Sequence, residues 1–588
     1  MRSLVVLAVV ARVLAVEPTP EIRRAVTRAL PILQRSAARF VAQRACVSCH
    51  HNILPILVLH RARDRGIAVD EAVLDAVEDK TFRALRGPGA LDEAIRAATL
   101  NDPTPNDSFL LMAAHSAGID AGLVPAMYAL RLLGWQREGH WVTSDFRPPH
   151  SSSFFTATAT AVRAIGLYLP EELRAARETS LRQARQWLVA TRPVSAEDAS
   201  FRLLGLVWAG APAAEIEIAR KDLLAAQLPN GGWAELPRYP ADAYSTGEAL
   251  FALQESGLTR SARSVQRGFR YLIASQAADG SWRVGTRMLS PAQVSPPYFS
   301  TGFPYGKDEY ISYAAGCWAV MALLDTLPEM APAGRVIAHE TEPWIRTALF
   351  APAEQLSAML DAGLDPNRQT RNGTTLLMMS APDAEKVRLL VKHGADVKVR
   401  TRTGEDALTI AAAYRGTAAA IVSLLNAGAE AQPPSGLRVR HSPLLFASMT
   451  GDLENVELLL SRGAVADSAA LSSAVTFGYA DVVKALLNAG ALAGGTEATG
   501  INLLHWAVIA DRPNMIPILV GAGVPLNATD ENGYTPLMYA ATVDFGHAQA
   551  VKELLKAGAD ASIRNQEGRT PREQARRYHH PALAAALR

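Results

Sequence analysis

A leucine pair followed by glycine recurs through the C-terminal part of this chain, and it constrains the fold more than any other feature. The glycines of this segment lie roughly 27 to 35 residues apart, at Gly363, Gly394, Gly428, Gly463, Gly490, Gly523 and Gly558. A period of this length indicates units that cannot bury their apolar faces alone and must stack on their neighbours. The sequence therefore predicts a helical solenoid over 350–588.

A second pattern precedes these segments and indicates the type of repeat. Its clearest copy is Asn532-Gly533-Tyr534-Thr535-Pro536-Leu537, in which glycine suits a hairpin tip and Thr-Pro suits the start of a short helix. Looser copies begin at Asn372, Gly404 and Leu503. The region resembles the ankyrin-repeat family, with about seven repeats and a polar, Arg-rich cap from Gly568.

The ankyrin resemblance implies a protein partner, bound through the hairpin tips and the concave helix face. The alternative for any single tip residue is a solvated side chain without a role in binding, because few interface residues contribute most of the binding free energy. The candidate protein-binding residues at the predicted tips are Arg371, Asn372, Arg402, Thr403, Glu531, Asn532 and Tyr534.

Composition limits the remaining possibilities. A chain of 588 residues predicts several domain-sized units, and 49% hydrophobic with 20% charged residues supplies ample material for their cores. Abundant Ala, Leu and Arg favour an all-α protein. A formal net charge of +2 argues against a general polyanion-binding surface, so we do not expect nucleic acid as a partner.

Glutamine, glycine and tryptophan recur together in the middle of the chain. Gln227 to Trp233 and Gln276 to Trp282 both read Q-x-x-x-G-x-W, and a weaker copy runs from Gly134 to Trp141. Each copy follows a helical pattern, so the glycine suits a left-handed helix cap while the tryptophan folds back over the helix end. These motifs are expected to be structural staples.

Segments rich in small residues follow the three staples, as in Phe154 to Ala161, Tyr244 to Leu250 and Ile311 to Trp318. Small residues allow helices to pack closely around an axis, whereas the intervening helices carry Arg and Glu on faces suited to solvent. This alternation of inner and outer helices predicts a closed ring of helical hairpins, an α/α toroid, over 16–349.

The region from about Gly89 to Leu349 resembles the squalene-hopene cyclase and prenyltransferase repeat family. The resemblance implies an α/α toroid with an apolar small molecule in its chamber. Cyclases of this family protonate their substrate with a D-x-D-D-T-A motif, whereas this chain has Asp242-Ala243-Tyr244-Ser245-Thr246-Gly247, in which only the first acid remains. A cyclase is therefore disfavoured, and Asp242, Glu248 and Asp308 stay weak catalytic candidates beside the alternative of helix-start caps.

The N-terminus has the pattern of an export signal. A basic start is followed by the apolar run from Leu4 and by small residues before Glu17, which predicts a secretory signal peptide over 1–15. The alternative is a helical N-terminus, because Arg12 interrupts the run. We expect no membrane span, and we expect the mature protein in the periplasm or outside the cell.

Two of the three cysteines stand next to a histidine, in Cys46-Val47-Ser48-Cys49-His50. C-x-x-C-H is the spacing that attaches haem c, because two thiols one helical turn apart bond the vinyl groups while the adjacent imidazole reaches the iron. The motif therefore predicts haem c on Cys46 and Cys49 with His50 as axial ligand. A disulfide, a redox dithiol or a zinc site remains the alternative.

The other axial ligand of such a haem is not determined by the sequence. The options are Met112, His115, Met127 or no residue, and core packing is the alternative role for each. His51 lies about 100° from His50 on a helix, so it is expected to be a hydrogen-bonded neighbour or a surface histidine.

Two functions from different classes therefore remain. In the first, an exported protein carries haem c for electron transfer or redox sensing, and its ankyrin array docks a partner. In the second, the toroid is an isoprenoid-type enzyme or an isoprenoid-binding protein, and the cysteine pair is structural.

Overall fold

The computed structural model describes residues 19–44, 50–96, 103–144, 149–287, 299–329, 342–434, 442–497 and 499–588. Over these ranges every regular element is a helix, and extended segments pair only as isolated bridges. The prediction of an all-α protein is confirmed. Residues 1–15, which carry the predicted signal peptide, and Cys46 and Cys49 lie outside the described residues.

Fourteen α-helices form the described part of the N-terminal half, with short 3-10 turns at Glu171–Leu173 and Gly306–Asp308. They are α1 (Thr19–Gln43), α2 (His50–Asp64), α3 (Glu71–Thr81), α4 (Arg83–Arg86), α5 (Ala90–Arg96), α6 (Pro103–Ser116), α7 (Leu123–Gly134), α8 (Phe154–Tyr168), α9 (Arg174–Ala190), α10 (Ala196–Trp208), α11 (Ala213–Ala225), α12 (Ala243–Glu255), α13 (Arg263–Ser275) and α14 (Glu309–Leu324).

Six of these helices contact one another in a closed cycle, which we call the helix ring. The contacts run from α2 to α6, α8, α10, α12 and α14, and α14 returns to α2. Ring helices are buried almost throughout, as in α12, whereas α9 buries only Ser180, Ala184 and Leu188. Small and apolar side chains along most of each ring helix permit this burial on all sides. The cyclic order is the one expected of an α/α toroid, and kinship with the cyclase family stays a prediction.

The tryptophan staples tie helix ends to the loops that follow them. The indole N–H groups of Trp141, Trp233 and Trp282 donate to the carbonyls of Leu132, Leu223 and Leu272 at 2.6, 2.8 and 2.8 Å. Each of the three tryptophans is at most 1% exposed. Each staple therefore combines a large apolar burial with a satisfied polar N–H.

The last staple also links the end of α13 to α1. The amide of Gln276 donates to the carbonyl of Gly280 at 3.0 Å and to that of Ala25, on α1, at 2.9 Å. Gly280 has a φ of +91°, and a Cβ there would lie 2.1 Å from the carbonyl oxygen of Arg28. Glycine is therefore required at this position both for its left-handed backbone and for the close approach of α1.

Sixteen further α-helices make up the described part of the C-terminal half and stack as eight consecutive pairs, with a 3-10 turn at Pro513–Met515. They are α15 (Pro343–Phe350), α16 (Ala353–Asp361), α17 (Leu376–Ser380), α18 (Ala384–Lys392), α19 (Ala407–Ala412), α20 (Ala418–Asn426), α21 (Pro443–Thr450), α22 (Leu453–Ser461), α23 (Ser468–Phe477), α24 (Ala480–Asn488), α25 (Leu503–Ile509), α26 (Ile516–Gly521), α27 (Pro536–Thr542), α28 (Gln549–Lys556), α29 (Pro571–Arg577) and α30 (Pro581–Ala586).

Local sequence explains where the repeat helices begin. Thr535 and Thr570 accept hydrogen bonds from Met538 N and Glu573 N, so each threonine caps a helix whose first residue is proline. One unit lacks a long tip, because α22 ends at Ser461 and α23 already begins at Ser468. The short repeat spacing up to Gly490 predicts this reduced tip.

The ankyrin array packs directly on the helix ring. Trp135 Nε1 donates to the carbonyl of Ala413 at 3.2 Å, and the Arg137 guanidinium pairs with Asp481 at 2.7 Å. A Cβ on Gly134 would lie 2.6 Å from the ring of Tyr414. Because α7 ends against the array, part of the array surface already has a partner within the same chain.

Among the described residues we find no helix that is both long and apolar enough to cross a membrane.

Candidate functional site

His50 begins helix α2 directly after the cysteine pair and lies among aromatic rings. Its ring centre is 4.5 Å from that of His51, 5.4 Å from that of His150 and 5.7 Å from that of Tyr310. His150 in turn stacks on Phe109 at 5.4 Å. The structure thus brings a second, sequence-distant histidine to the residue that the motif assigns to the iron. We call His50, His51 and His150 the histidine cluster.

His51 is fully buried, so the expectation that it might lie at the surface is wrong. Its ring stacks between Tyr313 at 3.9 Å and Phe40 at 4.8 Å. Both ring nitrogens are buried, and neither has a hydrogen-bond partner among the described residues. Burial, together with the nearby His50 and His150, lowers the pKa of His51 well below its usual value, so this imidazole is neutral at physiological pH.

Carboxyl groups from α10, α12 and the loop before α12 meet within the ring, and we call Glu197, Glu235, Asp242 and Glu248 the carboxyl cluster. Ser245 Oγ donates to Glu235 at 3.1 Å and also lies 3.3 Å from Asp242. Asp242 caps α12 by accepting from Ser245 N at 2.8 Å. Two of the catalytic candidates from the sequence, Asp242 and Glu248, therefore belong to one buried group.

Burial shifts the proton affinities of this cluster strongly. It raises the pKa of Glu197 to about 8, with a further contribution from the charge of Glu235, and it raises the pKa of Asp242 to about 7. Burial and the adjacent Glu197 also raise the pKa of Glu248 well above its usual value. Arg287, 3.3 Å from Glu235, opposes the rise there. Burial therefore favours the protonated form of these carboxyl groups.

A hydrogen-bonded path connects the two clusters. The Tyr244 hydroxyl donates to Glu197 Oε2 at 2.9 Å and lies 3.3 Å from Nδ1 of His150. Thr156 Oγ1 donates to the other oxygen of Glu197 at 2.5 Å. Tyr244 and Glu197 are each only 1% exposed. The path from His150 through Tyr244 to Glu197 therefore runs inside the ring.

A cavity of about 270 Å³ lies where the ring meets the array. Glu197, Glu235 and Arg287 line it from the ring, whereas Arg512 and His547 line it from the array. The guanidinium of Arg512 lies over the ring of Phe154, and the hydrogen bond that His547 donates to the Asp511 carboxylate raises the pKa of His547. Arginines and carboxylic acids alternate with aromatic side chains in this lining, whereas an isoprenoid requires a predominantly apolar chamber.

Asp308 stands apart from the other two catalytic candidates in its contacts. It accepts from Thr286 N at 3.1 Å and pairs with the exposed Arg283 at 3.2 Å. Its partners are those of a carboxylate that holds a loop. The structure therefore gives Asp308 a positioning role in the backbone and leaves Asp242 and Glu248 as the candidates within the carboxyl cluster.

The three residues proposed from the sequence as second axial ligands have different environments. Met112 is partly buried on α6, His115 is exposed at the end of the same helix, and Met127 is 2% exposed in the core on α7. The ring contact with His50 is made by His150 instead.

The predicted hairpin-tip residues divide into three groups. Arg371, Arg402 and Glu531 are exposed. Asn372 Nδ2 donates to Asp92 of the ring half at 2.7 Å, and Thr403 Oγ1 accepts from Arg96 at 3.0 Å. These two tips therefore bind the chain itself.

The last two tip residues support the array. Asn532 accepts from the N–H of Gln566 in the next repeat through its carbonyl. Tyr534 is 4% exposed, and its hydroxyl accepts from Gln574 at 2.7 Å. Tyr534 is therefore a packing residue between repeats, although its place beside a tip glycine suggests exposure.

Sequence reasoning did not connect His150, Tyr244 and Glu197. His150 lies in a loop with no metal-ligand spacing, and Tyr244 occupies the position where the cyclase motif has its second aspartate. Glu197 lies in the first turn of α10, where an acidic residue usually stabilises the start of the helix. No feature of the sequence therefore assigns Glu197 to a functional site.

Comparison with known proteins identifies the repeats. A family model described as ankyrin repeats, in three copies, matches residues 471–565 and 504–587. The C-terminal part of this chain therefore consists of ankyrin repeats, a class that implies protein–protein interaction.

Similar curated proteins share this C-terminal part. An ankyrin repeat-containing protein of Schizosaccharomyces pombe is 39% identical over 67 residues, which cover 11% of this chain and 31% of that protein. A putative ankyrin repeat-containing protein of Treponema pallidum is 33% identical over 113 residues, or 19% of this chain and 37% of that protein. The palmitoyltransferase ZDHHC13 of Mus musculus is 28% identical over 205 residues within the ankyrin region. The matched residues cover 28% of this chain and 33% of that protein. The chain thus spans about a third of each relative.

Proposed function

We propose that this chain is an exported redox protein that carries one haem c at its N-terminal motif and docks a protein partner through its ankyrin array. In this proposal Cys46 and Cys49 form the thioether bonds and His50 binds the iron. Haem, when bound, supplies reversible one-electron transfer. The ring holds the group away from water, and the array brings an electron donor, an electron acceptor or a regulated protein to it.

The observation that carries the haem proposal is the environment of His50. The residue lies directly after the C-x-x-C spacing, in contact with His150 and beside buried aromatic rings. Imidazole is a common iron ligand, and an apolar surround tunes the potential of a haem. The two buried nitrogens of His51, which have no hydrogen-bond partner in the described part of the chain, also fit a site that takes a polar or ionic group.

Export is part of the same proposal, because haem c is attached to such a cysteine pair outside the cytosol. Its support is the pattern of residues 1–15, where a basic start, a short apolar run and small residues precede Glu17. The expected mature chain begins at residue 16.

The proposal is tested by expressing the chain in a host that matures c-type cytochromes. We expect one haem per chain that survives denaturing electrophoresis, with a mass equal to that of the processed polypeptide plus haem. The Cys46→Ser and Cys49→Ser double variant is expected to lose the covalent haem.

Cys317→Ser provides the matched control. Cys317 is the third cysteine of the sequence, and it is buried on α14 and unpaired within the described residues. We expect this variant to retain its haem. A wild-type chain that is exported, folded and free of covalent haem contradicts the proposal.

The carboxyl cluster favours a second candidate, in which the ring is an enzyme or a binding protein for an apolar small molecule such as an isoprenoid. In that case the cysteine pair is a disulfide or a zinc site. Carboxyl groups with pKa values of about 7 and 8, as in Asp242 and Glu197, suit general acid–base catalysis at neutral pH. They are weaker acids than an ordinary carboxyl, so they suit the protonation of an isolated alkene poorly.

This candidate is tested by incubating the purified chain with squalene and with prenyl diphosphates. Conversion by the wild type that is lost in Glu248→Gln supports an enzyme, and Asp308→Asn serves as the comparison because Asp308 contacts a loop instead of the cluster. If the chain neither converts nor binds these compounds, the candidate is excluded.

A further inference from the structure

Helix α1 carries a row of arginines on its outer face. Arg24, Arg28, Arg35 and Arg39 are all exposed, and we call these four residues the arginine row. Because an α-helix has about 3.6 residues per turn, the four positions fall within an arc of roughly 60° and span about 22 Å along the axis. The opposite face of α1 buries apolar side chains such as Leu33. The row is therefore held on a helix whose other side is anchored in the core.

The charge of the arginine row is not balanced within the part of the chain that the structure describes. None of its four guanidinium groups takes part in an ion pair or a hydrogen bond there. The single acid of α1 is Glu21, in the first turn. Helix α3 packs on α1 and contains Asp75 and Asp79, yet it forms no ion pair with the row. Helix α13, which also contacts α1, contains three arginines and no acid.

Arginines on another outer helix of the same half are paired. On α9, Arg174 and Arg177 both pair with Glu171, at 3.2 and 3.1 Å. Such pairs compensate the charge of a helix surface within the chain itself. The arginine row differs from α9 because its charges are left for water or for another molecule.

The spacing within the row does not help the helix to fold. Arg24 and Arg28 are four residues apart, and so are Arg35 and Arg39. Residues at this spacing are neighbours on a helix surface, where like charges repel and destabilise the helix. The stability of α1 therefore does not account for the row, whereas carboxylates of a bound partner would relieve the repulsion.

The chemistry and the width of the row fit a narrow acidic segment. A guanidinium group binds a carboxylate through two parallel hydrogen bonds, which a lysine cannot make. The row is one helix wide and lies on the helix against which the acidic α3 packs, so a broad anionic surface such as a bilayer or a DNA duplex would also meet repelling charge. Thr19–Gln43 exposes no large apolar side chain that could enter a bilayer.

We propose that the arginine row is a docking site for an acidic segment of a partner protein. The row lies on an outer helix of the N-terminal half, so the chain has a second protein-binding surface besides the ankyrin array. Docking at this surface goes beyond the proposed function and does not depend on haem.

The proposal is tested by titrating fluorescein-labelled poly-L-glutamate with the purified full chain and following fluorescence anisotropy. We expect binding that weakens as salt is added, because exposed charges are screened. Arg28→Gln combined with Arg35→Gln is expected to weaken binding about fivefold to tenfold, as the loss of two exposed ion pairs requires. Both substitutions leave the buried face of α1 intact, so the variant is expected to fold, which circular dichroism checks.

Arg388→Gln combined with Arg576→Gln is the matched control. Both arginines are exposed on the array, and neither has an ion pair within the described residues. This variant loses the same net charge as the row variant, but at other places on the surface. We expect its affinity for poly-L-glutamate to stay close to that of the wild type. Equal weakening in the two double variants means that binding follows net charge alone, and it overturns the docking site.

Phenylglyoxal modification, mapped by mass spectrometry, locates the bound probe. The reagent reacts with exposed arginine side chains. We expect poly-L-glutamate to protect the arginine row from modification while Arg388 and Arg576 stay reactive. Binding of the probe without protection of the row overturns the proposal.

Vesicles of phosphatidylcholine with phosphatidylserine, and a DNA duplex, are compared in the same titration. Weaker binding of both than of poly-L-glutamate supports an acidic protein segment as the occupant. Tighter binding of either one that is lost in the row variant overturns that occupant in favour of a lipid surface or nucleic acid. A chain that does not bind poly-L-glutamate even at low salt overturns the docking site altogether.

Discussion

Replacing Glu197 by glutamine is expected to change how the stability of the helix ring depends on pH. Glu197 is buried, and its pKa is about 8 in the folded chain against an ordinary value of 4.5. The folded state therefore binds this proton more tightly than the unfolded state does. The free energy of unfolding has its full contribution from Glu197 below pH 4.5, loses it as the pH rises from about 4.5 to about 8, and is level above that range.

The size of this loss follows from the two pKa values. Each pKa unit corresponds to about 1.4 kcal/mol, so the rise from 4.5 to about 8 amounts to at most about 5 kcal/mol. Glutamine has the same shape and no charge to lose. It still accepts from Thr156 through Oε1, so the hydrogen bond at that oxygen is kept.

The assay is denaturant unfolding followed by tryptophan fluorescence at several pH values between 5 and 9. We expect Glu197→Gln to match the wild type near pH 5 and to exceed it by roughly 3 to 5 kcal/mol near pH 9. Glu217→Gln is the matched control, because Glu217 is a partly exposed carboxylate on α11 and lies outside the carboxyl cluster. Wild-type and Glu197→Gln curves that stay parallel from pH 5 to pH 9 refute the reasoning.

Three further substitutions test the packing. Asp107→Asn leaves Arg131, its partner at 2.6 Å, charged and buried, so thermal unfolding is expected to show a loss of about 3–5 kcal/mol. Gly280→Ala is expected to destabilise the ring by more than about 1 kcal/mol in the same assay, while Gly285→Ala, which meets open space, is expected to be neutral. Gly134→Val is expected to loosen the contact between ring and array, seen as faster release of the array by a protease; unchanged release contradicts that contact.

The repeats were the part of the fold that the sequence predicted best, for a physical reason. Each repeat packs on its neighbour through the same Leu-Leu and glycine segment, so the segment recurs along the chain and can be recognised in a single sequence. The tryptophan staples could also be predicted from the sequence, because their contacts are local: Trp233 and Trp282 each donate to a carbonyl ten residues earlier. In the weaker copy Trp135 stands where the other two staples have glutamine, and its indole donates to the array. The neighbouring Gln136 donates to the carbonyl of Ser180 at 3.0 Å.

The candidate site could be predicted only in part, because its residues come together from distant segments. C-x-x-C-H identifies His50 through local spacing, whereas His150, a hundred residues later, has no neighbour that indicates iron. Asp242 and Glu248 came from the cyclase resemblance, but Glu197 and Glu235 join them only through the folding of α10 against α12. The docking of the array on the ring likewise depends on complementary surfaces that no repeat pattern records.

The most direct test of the central proposal is the reduced absorption spectrum of the secreted full-length chain in alkaline pyridine. The account predicts one equivalent of haem per chain, with the α-band of a haem joined through two thioether bonds and with colour that acid-acetone does not extract. A folded, exported protein that shows no α-band, or one whose haem is removed by acid-acetone, contradicts the account.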